Sequence, residues 1–289
     1  MEIIKKAALI LFLLFSSFSL SSGIDISLRL SGGLCYLKLN DINRAIKGWE
    51  ESWKKTTISR EGWEFAGGEA AKFNIGYDFD GEIMVSISPH LAASFGVGLI
   101  YGELIDKKTE LFVNVDSRHY AFARPAKVTA LPLIFSGYFF FPLSKKLDIF
   151  IKGGLGLIWA KYVVREGYLQ FSEYNPEDEF DYYWHQSASA QGSAFVGSLG
   201  INYSINPGLG FFIEGGARWA KISGFRGEAP EGGEGDLYSF EEYDPDIDFW
   251  RKNIVIFTEK PTGDNFRSVQ KAVVDFTGFS AKIGLLIKF

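Results

Sequence analysis

Charged residues of both signs sit on strand-like faces opposite runs of apolar side chains: Arg29, Asp78, Asp80, Glu82, Lys152, Glu214, Arg218 and Lys282. Side chains of this kind cannot leave water alone; they must pair with one another. The chemistry they suggest is an internal ion-pair network. Arg29, Glu82, Lys152, Glu214, Arg218 and Lys282 are its candidate members, with Asp78 and Asp80 placed high enough to meet water. Such a network either plugs an enclosed space or lines a narrow, gated ion path.

Other chemistry has less support. The histidines, His90, His119 and His185, fall in a tight turn and two different loops. His185 near Asp181 and Ser187 is the one grouping with acid–base potential, and we read it as chance. No enzyme is expected. Gly96-Val-Gly98 and Gly153-Gly-Leu-Gly156 lie inside strand patterns, where they read as bends and small inward residues, not phosphate loops. Glu166, Glu173, Glu177, Asp178, Glu179 and Asp181 form one acidic stretch. Glu228, Glu231, Glu234, Asp236, Glu241, Glu242, Asp244, Asp246 and Asp248 form another. Neither has the spacing of a calcium loop, so both read as solvated acidic surface. No cofactor or metal is expected.

The elements that must position these groups are strands. Period-two patterns cover residues 24–37, 73–88, 91–103, 128–142, 147–164, 193–205, 209–222 and about 271–289. In the first, Ile24, Ile26, Leu28, Leu30, Leu34 and Tyr36 alternate with Asp25, Ser27, Arg29, Ser31 and Cys35. In the second, Phe73, Ile75, Tyr77, Phe79, Ile83, Val85 and Ile87 share a face. The fourth is apolar on both faces and is left unoriented. In the fifth, Leu147, Ile149, Ile151, Leu155, Leu157 and Trp159 point outward. Connections alternate long and short, with long ones at 40–72, 104–127, 165–192 and 223–270. This is the pattern of a transmembrane antiparallel up-and-down β-barrel, with short turns on one side and long loops on the other. About eight strands are expected, or ten if segments such as 253–258 join. In the first loop, Ile42, Ala45, Ile46, Trp49 and Trp53 recur at helical spacing behind Asp41, a plausible N-cap. A short amphipathic helix should lie over the barrel mouth, as a packed lid or as a ligand-binding element. Tyr36, Tyr77, Tyr101, Tyr138, Trp159, Tyr162, Tyr203 and Trp219 fall near strand ends and fit aromatic girdles.

The final strand carries a resemblance. Lys282, Gly284, Ile287 and Phe289 match, in order, the C-terminal signal of bacterial outer-membrane barrels. The whole arrangement resembles the small eight-stranded OmpA/OmpX/OmpW-like group. The resemblance implies recognition by the barrel-assembly machinery and, for the OmpW-like members, a small channel or a conduit for apolar solutes. The alternative is a structural or surface-interaction barrel with a closed lumen, acting through its long acidic loops. The peptidoglycan-binding domain of OmpA-like proteins is not expected here.

The rest is consistent. Lys5 and Lys6 precede an apolar run over residues 7–15 and a Ser-rich stretch, so residues 1–23 read as a signal peptide and 24–289 as the barrel domain. Hydrophobic residues make up 47% and aromatics 16%, yet no later stretch has the ~20 apolar residues of a spanning helix. A formal net charge of −5 argues against nucleic acid, and a single cysteine permits no internal disulfide. The expected partners are outer-membrane lipid and lipopolysaccharide, for a monomer whose N- and C-termini both face the periplasm.

Overall fold

The computed structural model describes residues 25–172 and 179–289. The signal segment, Ile24, Glu173, Glu177 and Asp178 lie outside the described residues. The alternating segments form β1 (Asp25–Tyr36), β2 (Trp63–Gly68), β3 (Ile75–Ser88), β4 (Leu91–Leu104), β5 (Leu111–Val115) and β6 (Arg118–Ala123). They continue as β7 (Ala126–Pro142), β8 (Leu147–Phe171), β9 (Asp181–Asn206), β10 (Leu209–Trp219), β11 (Lys221–Ile222) and β12 (Arg226–Glu228). The chain then runs through β13 (Glu234–Asp244), β14 (Phe249–Phe257), β15 (Phe266–Lys271), β16 (Val274–Asp275) and β17 (Gly278–Lys288). Among the described residues there is one α-helix, α1 (Asn40–Ser59), which follows β1.

Antiparallel pairing closes a ring in the order β1–β3–β4–β7–β8–β9–β10–β17 and back to β1. The ring has eight strands; the added strands lie outside it and do not raise the count to ten. At the seam, Leu28 faces Ile287 and Leu34 faces Ala281. Alternation decides which side chains point in. On β8, Phe150, Lys152 and Ile158 are buried, whereas Ile151, Leu155 and Trp159 are exposed. The unoriented segment is settled by the same rule. On β7, Val128, Ala130, Ser136 and Tyr138 point inward and Phe135, Phe139 and Phe141 outward.

Three expectations about individual positions are corrected. Tyr138 and Tyr162 are not girdle residues; their even positions on β7 and β8 bury them inside, at 2% and 1% exposure. Phe73 precedes β3 and is buried in the core instead of sharing the outer face with Ile75. The long connections 165–192 and 223–270 are largely strand. β8 and β9 continue far beyond the other ring strands, and β12 to β15 build a sheet that pairs with β9 through β12. On the other side, β6 pairs with the far end of β8 and carries β5 and β2. The result is a folded head standing on one rim of the ring.

The helix sits inside that head. Leu39, in left-handed backbone conformation, precedes it, and no side chain caps it. Asp41 is therefore not the N-cap; its carboxylate accepts the Val273 N–H at 3.0 Å. Asn43 both accepts from the Phe73 N–H at 2.7 Å and donates to the Phe73 carbonyl at 3.1 Å. Ile42, Ala45, Ile46 and Trp49 are buried, as their spacing predicts. Gly48 allows the helix to press on β14, since a Cβ there would overlap the Lys252 backbone.

Candidate functional site

The ring interior is filled in layers, beginning at the short-turn end. Met84, Ala92, Tyr138, Phe150, Phe212 and Leu286 form an apolar cluster there. Glycines make the space for its rings: a Cβ at Gly200 would overlap Phe150, and one at Gly284 would overlap Phe212. Arg29 lies over these rings, its guanidinium carbon 3.7 Å from the Phe212 centroid and 4.6 Å from that of Phe150. Cation–π attraction is strongest where water is excluded, and Arg29 is 2% exposed.

Above Arg29 the charges meet. Glu214 is the hub, with Arg29 at 3.6 Å, Lys282 at 3.8 Å and Lys152 at 4.0 Å. Lys152 also pairs with Glu82, and Lys282 with Asp80. Glu82 accepts from the Tyr138 hydroxyl at 2.6 Å and from Ser94 at 2.8 Å. Arg218 pairs with Asp78 at 2.9 Å and donates to the Phe276 carbonyl at 3.0 Å. The structure thus brings Arg29, Glu82, Lys152, Glu214 and Lys282 into one connected group and sets Arg218 with Asp78 beside it. Asp78 does not reach water as expected; it is 3% exposed, because Arg218 covers it. A cavity of about 50 Å³, lined by these charged side chains together with Pro132, Ile134 and Val196, lies between them. That is room for little more than ordered water.

The layer above is apolar. Leu37, Ile42, Phe73, Ile158, Phe225 and Phe276 belong to one core cluster that continues from the ring into the head and includes the inner face of α1. The lid reading of α1 thus has its contacts. The ligand-binding reading loses its apolar surface, because Trp49 is buried and Trp53 is stacked on Phe122 at 3.8 Å between centroids.

The outer surface has the opposite character. Leu34, Ile75, Phe95, Phe135, Leu155, Leu199, Ile213 and Ile283 are all exposed and apolar, one on every ring strand. Tyr36, Tyr77, Tyr203 and Trp219 are exposed near strand ends, and Trp159 is exposed midway along β8. On β8 the outward apolar positions run from Ile149 to Trp159, matching the about 9–11 residues that a tilted strand needs to cross a bilayer. A closed ring with a lipid-compatible belt outside and paired charges inside has one physical setting. The chain has the fold of an eight-stranded transmembrane β-barrel.

No family model matches this barrel, and no curated protein does. Among solved structures, it is similar to Neisserial surface protein A, at 8% identity over 93% of this chain and 100% of that one, with a TM-score of 0.39. It is similar to the outer membrane protein OprG from Pseudomonas aeruginosa, at 11% identity over 91% and 95%, TM-score 0.39. It is also similar to a major outer membrane protein from Thermus thermophilus, at 13% identity over 92% and 100%, TM-score 0.39.

A second polar node lies in the head, and sequence patterns did not flag it. Arg124, 2% exposed, donates to Asn253 at 3.0 Å and lies 3.9 Å from Glu166. Glu166 also accepts from the Trp49 indole at 2.9 Å and the Tyr183 hydroxyl at 2.7 Å. Burial, then the Glu166 charge, pushes the Tyr183 phenol above its ordinary range, so it remains a donor. These residues are scattered over five segments, and only the fold assembles them. The acidic segment 228–248 is likewise corrected. Much of it is β13, where Asp236 pairs with Lys271, Glu241 with Arg267 at 2.5 Å and Glu242 with Arg251 at 2.7 Å. Its bases come from the neighbouring strands β14 and β15. His90, His119 and His185 lie in the β3–β4 turn, β6 and β9. His119 Nδ1 is 2.7 Å from Asn114, and among the described residues no hydrogen bond joins His185 to Asp181 or Ser187.

Proposed function

We propose that this protein is a closed-lumen barrel that anchors a rigid head at the cell surface, and that its activity is surface interaction and not solute passage. The carrying observation is the sequence of three seals in the lumen: the Phe150–Phe212 cluster under Arg29, the ion pairs around Glu214, and the apolar core capped by α1. A channel or conduit would need all three to rearrange together, against both packing and charge pairing. The head, by contrast, is a large investment of strands with no role in closing the ring. Its topology supports the periplasmic placement of both termini, since β1 and β17 have their free ends on the short-turn side, opposite the head. Residues 1–23 act as the export signal, and Lys282, Gly284, Ile287 and Phe289 as the assembly signal. The protein acts as a monomer without a nucleic-acid partner and without a catalytic group.

Planar-bilayer recording of the purified protein tests the reading. No steady conductance is expected from the wild type. A variant that opens the lowest seal, Phe150→Ala with Phe212→Ala, should still not conduct while the Glu214 layer and the lid remain. Reproducible single-channel steps from the wild type, or uptake of an apolar solute through it in vesicles, would overturn it.

A further inference from the structure

The inner face of α1 is spent on the core, but its outward face borders a hollow of about 720 Å³. The other wall is the chain over residues 69–74, between β2 and β3. Along the helix the lining runs from Asn40 to Lys54, about 21 Å at 1.5 Å per residue. The volume falls within the range of about 300–1,000 Å³ of small-molecule sites. Side-chain bonds fix the two walls against each other. Asn43 donates to the Asn74 side-chain oxygen at 2.9 Å, besides its bonds to Phe73, and Glu50 accepts the Ala70 N–H at 3.3 Å. The shape is therefore set before anything enters, which lowers the cost of binding.

The lining has little to offer an apolar ligand beyond Ile46, Ala70, Ala71 and the ring of Tyr36. Most of the rest is charged, and the charges are tied to each other. Lys54 pairs with Glu50, Lys47 lies 3.7 Å from Glu51, and Arg44 lies 4.0 Å from Asp41. Amides from Asn40, Asn43 and Asn74 stand among them. Such a wall presents fixed donors and fixed acceptors side by side. A phosphate or sulfate would meet Glu50, Glu51 and Glu69 along with the lysines, and would have to draw Lys47 and Lys54 from their partners. Hydroxyl groups fit without that conflict, because each both donates and accepts.

We propose that this hollow binds a neutral oligosaccharide free in the medium, its hydroxyls bridging the ammonium–carboxylate pairs and one sugar ring lying on Tyr36. Of the lining residues only Tyr36 belongs to a ring strand, so the site is built by the head and not by the lipid-facing wall. The inference rests on the surface-interaction reading and gives it a ligand class. It does not need the closed lumen.

An array of neutral glycans tests it, probed with the full-length folded protein in a detergent without a sugar headgroup. The wild type should bind at least one class of neutral oligosaccharide. Calorimetry with that glycan, free in solution, should show affinity changing less than about twofold between about 0.05 and 0.5 M salt, since a neutral ligand brings no charge to screen. Lys47→Ala with Glu51→Ala should weaken binding about tenfold, through lost hydrogen bonds to charged groups. These side chains are 73% and 48% exposed, so the fold should tolerate their removal. Arg226→Ala with Glu234→Ala, an exposed pair that does not line the hollow, should leave binding unchanged. Heat-modifiable migration reports whether each variant is folded; if one is not, the array and the salt series on the wild type still decide. Failure to bind any neutral glycan, or undiminished binding by the folded Lys47→Ala, Glu51→Ala variant, would overturn the proposal. So would binding confined to sulfated or phosphorylated glycans, or to glycans carried on lipid. Steady conductance would strike the closed lumen instead and leave this site standing.

Discussion

Trp49 donates its indole N–H to Glu166 at 2.9 Å, joining the lid helix to the strand β8 that runs down into the barrel. Trp49 is also buried against Leu111, Val113 and Phe122. Trp49→Phe keeps the packing and removes the bond, at a cost of about 1.5–3 kcal/mol because the acceptor is charged. Trp49→Ala adds a cavity and should cost about 3–5 kcal/mol. Both should show first as faster amide hydrogen exchange in α1, with the ring strands still protected. Unchanged exchange in α1 would mean the bond does not hold the lid.

Glu214 answers to three cations, and all three are buried. Glu214→Gln should destabilise the barrel by about 3–5 kcal/mol, through charges left buried without compensation. Arg267→Ala, at the half-exposed pair with Glu241, should cost at most about 1 kcal/mol. Equilibrium urea unfolding in micelles compares them. Equal costs would show that water reaches the lumen group.

Leu155 and Gly156 are adjacent on β8 and face opposite media. Leu155→Arg places a charge in the lipid belt and should cost about 2–4 kcal/mol, whereas Leu155→Ala should be mild. Gly156→Leu should be worse than its apolar nature suggests, because even a Cβ there would overlap the Leu133 carbonyl. Unfolding free energies of the three variants in micelles check this. A harmless Gly156→Leu together with a tolerated Leu155→Arg would shift this strand by one residue and invert its faces.

Phe289 closes the seam strand, and its N–H bonds to the Ile26 carbonyl at 3.0 Å. Phe289→Asp should leave the chain unassembled in the periplasm. The readout is the loss of the folded, heat-modifiable band in membrane fractions; a normal band would separate this residue from assembly.

Protease added to sealed cells should cut near Glu231, in the exposed turn between β12 and β13, and spare the turns at Pro89 and Pro207. Cleavage at those tight turns would reverse the orientation.

The ring was legible because period-two alternation is a local signal, and each strand carries it by itself. The alternation also separated Lys152 from Ile151 and Arg29 from Leu28 before any partner was known. It failed where both faces meet apolar surroundings. In the head, Leu237 and Ile256 are buried while Glu241 and Arg251, on the same two strands, are half-buried and ion-paired, so the pattern blurs into what resembles acidic loop. Tyr138 misled for another reason: an aromatic at a strand end reads as an interface anchor, and only its even position on β7, unreadable in a doubly apolar run, turns it inward. The Arg124–Glu166–Trp49 node was invisible, because its members are far apart in sequence and carry no spacing at all.

The seam between β1 and β17 has a consequence for how the molecule is made. It pairs the first described strand with the last, so the ring is the final contact to form and spans the largest loop the chain offers. The strands β11 to β16 lie between β10 and β17 in the chain. They must therefore be carried across the membrane before the gap shuts. Once it has shut, the head is stranded on the far side. The bilayer then acts as a ratchet: an assembly order written in connectivity becomes a permanent sidedness, with no anchor or latch required.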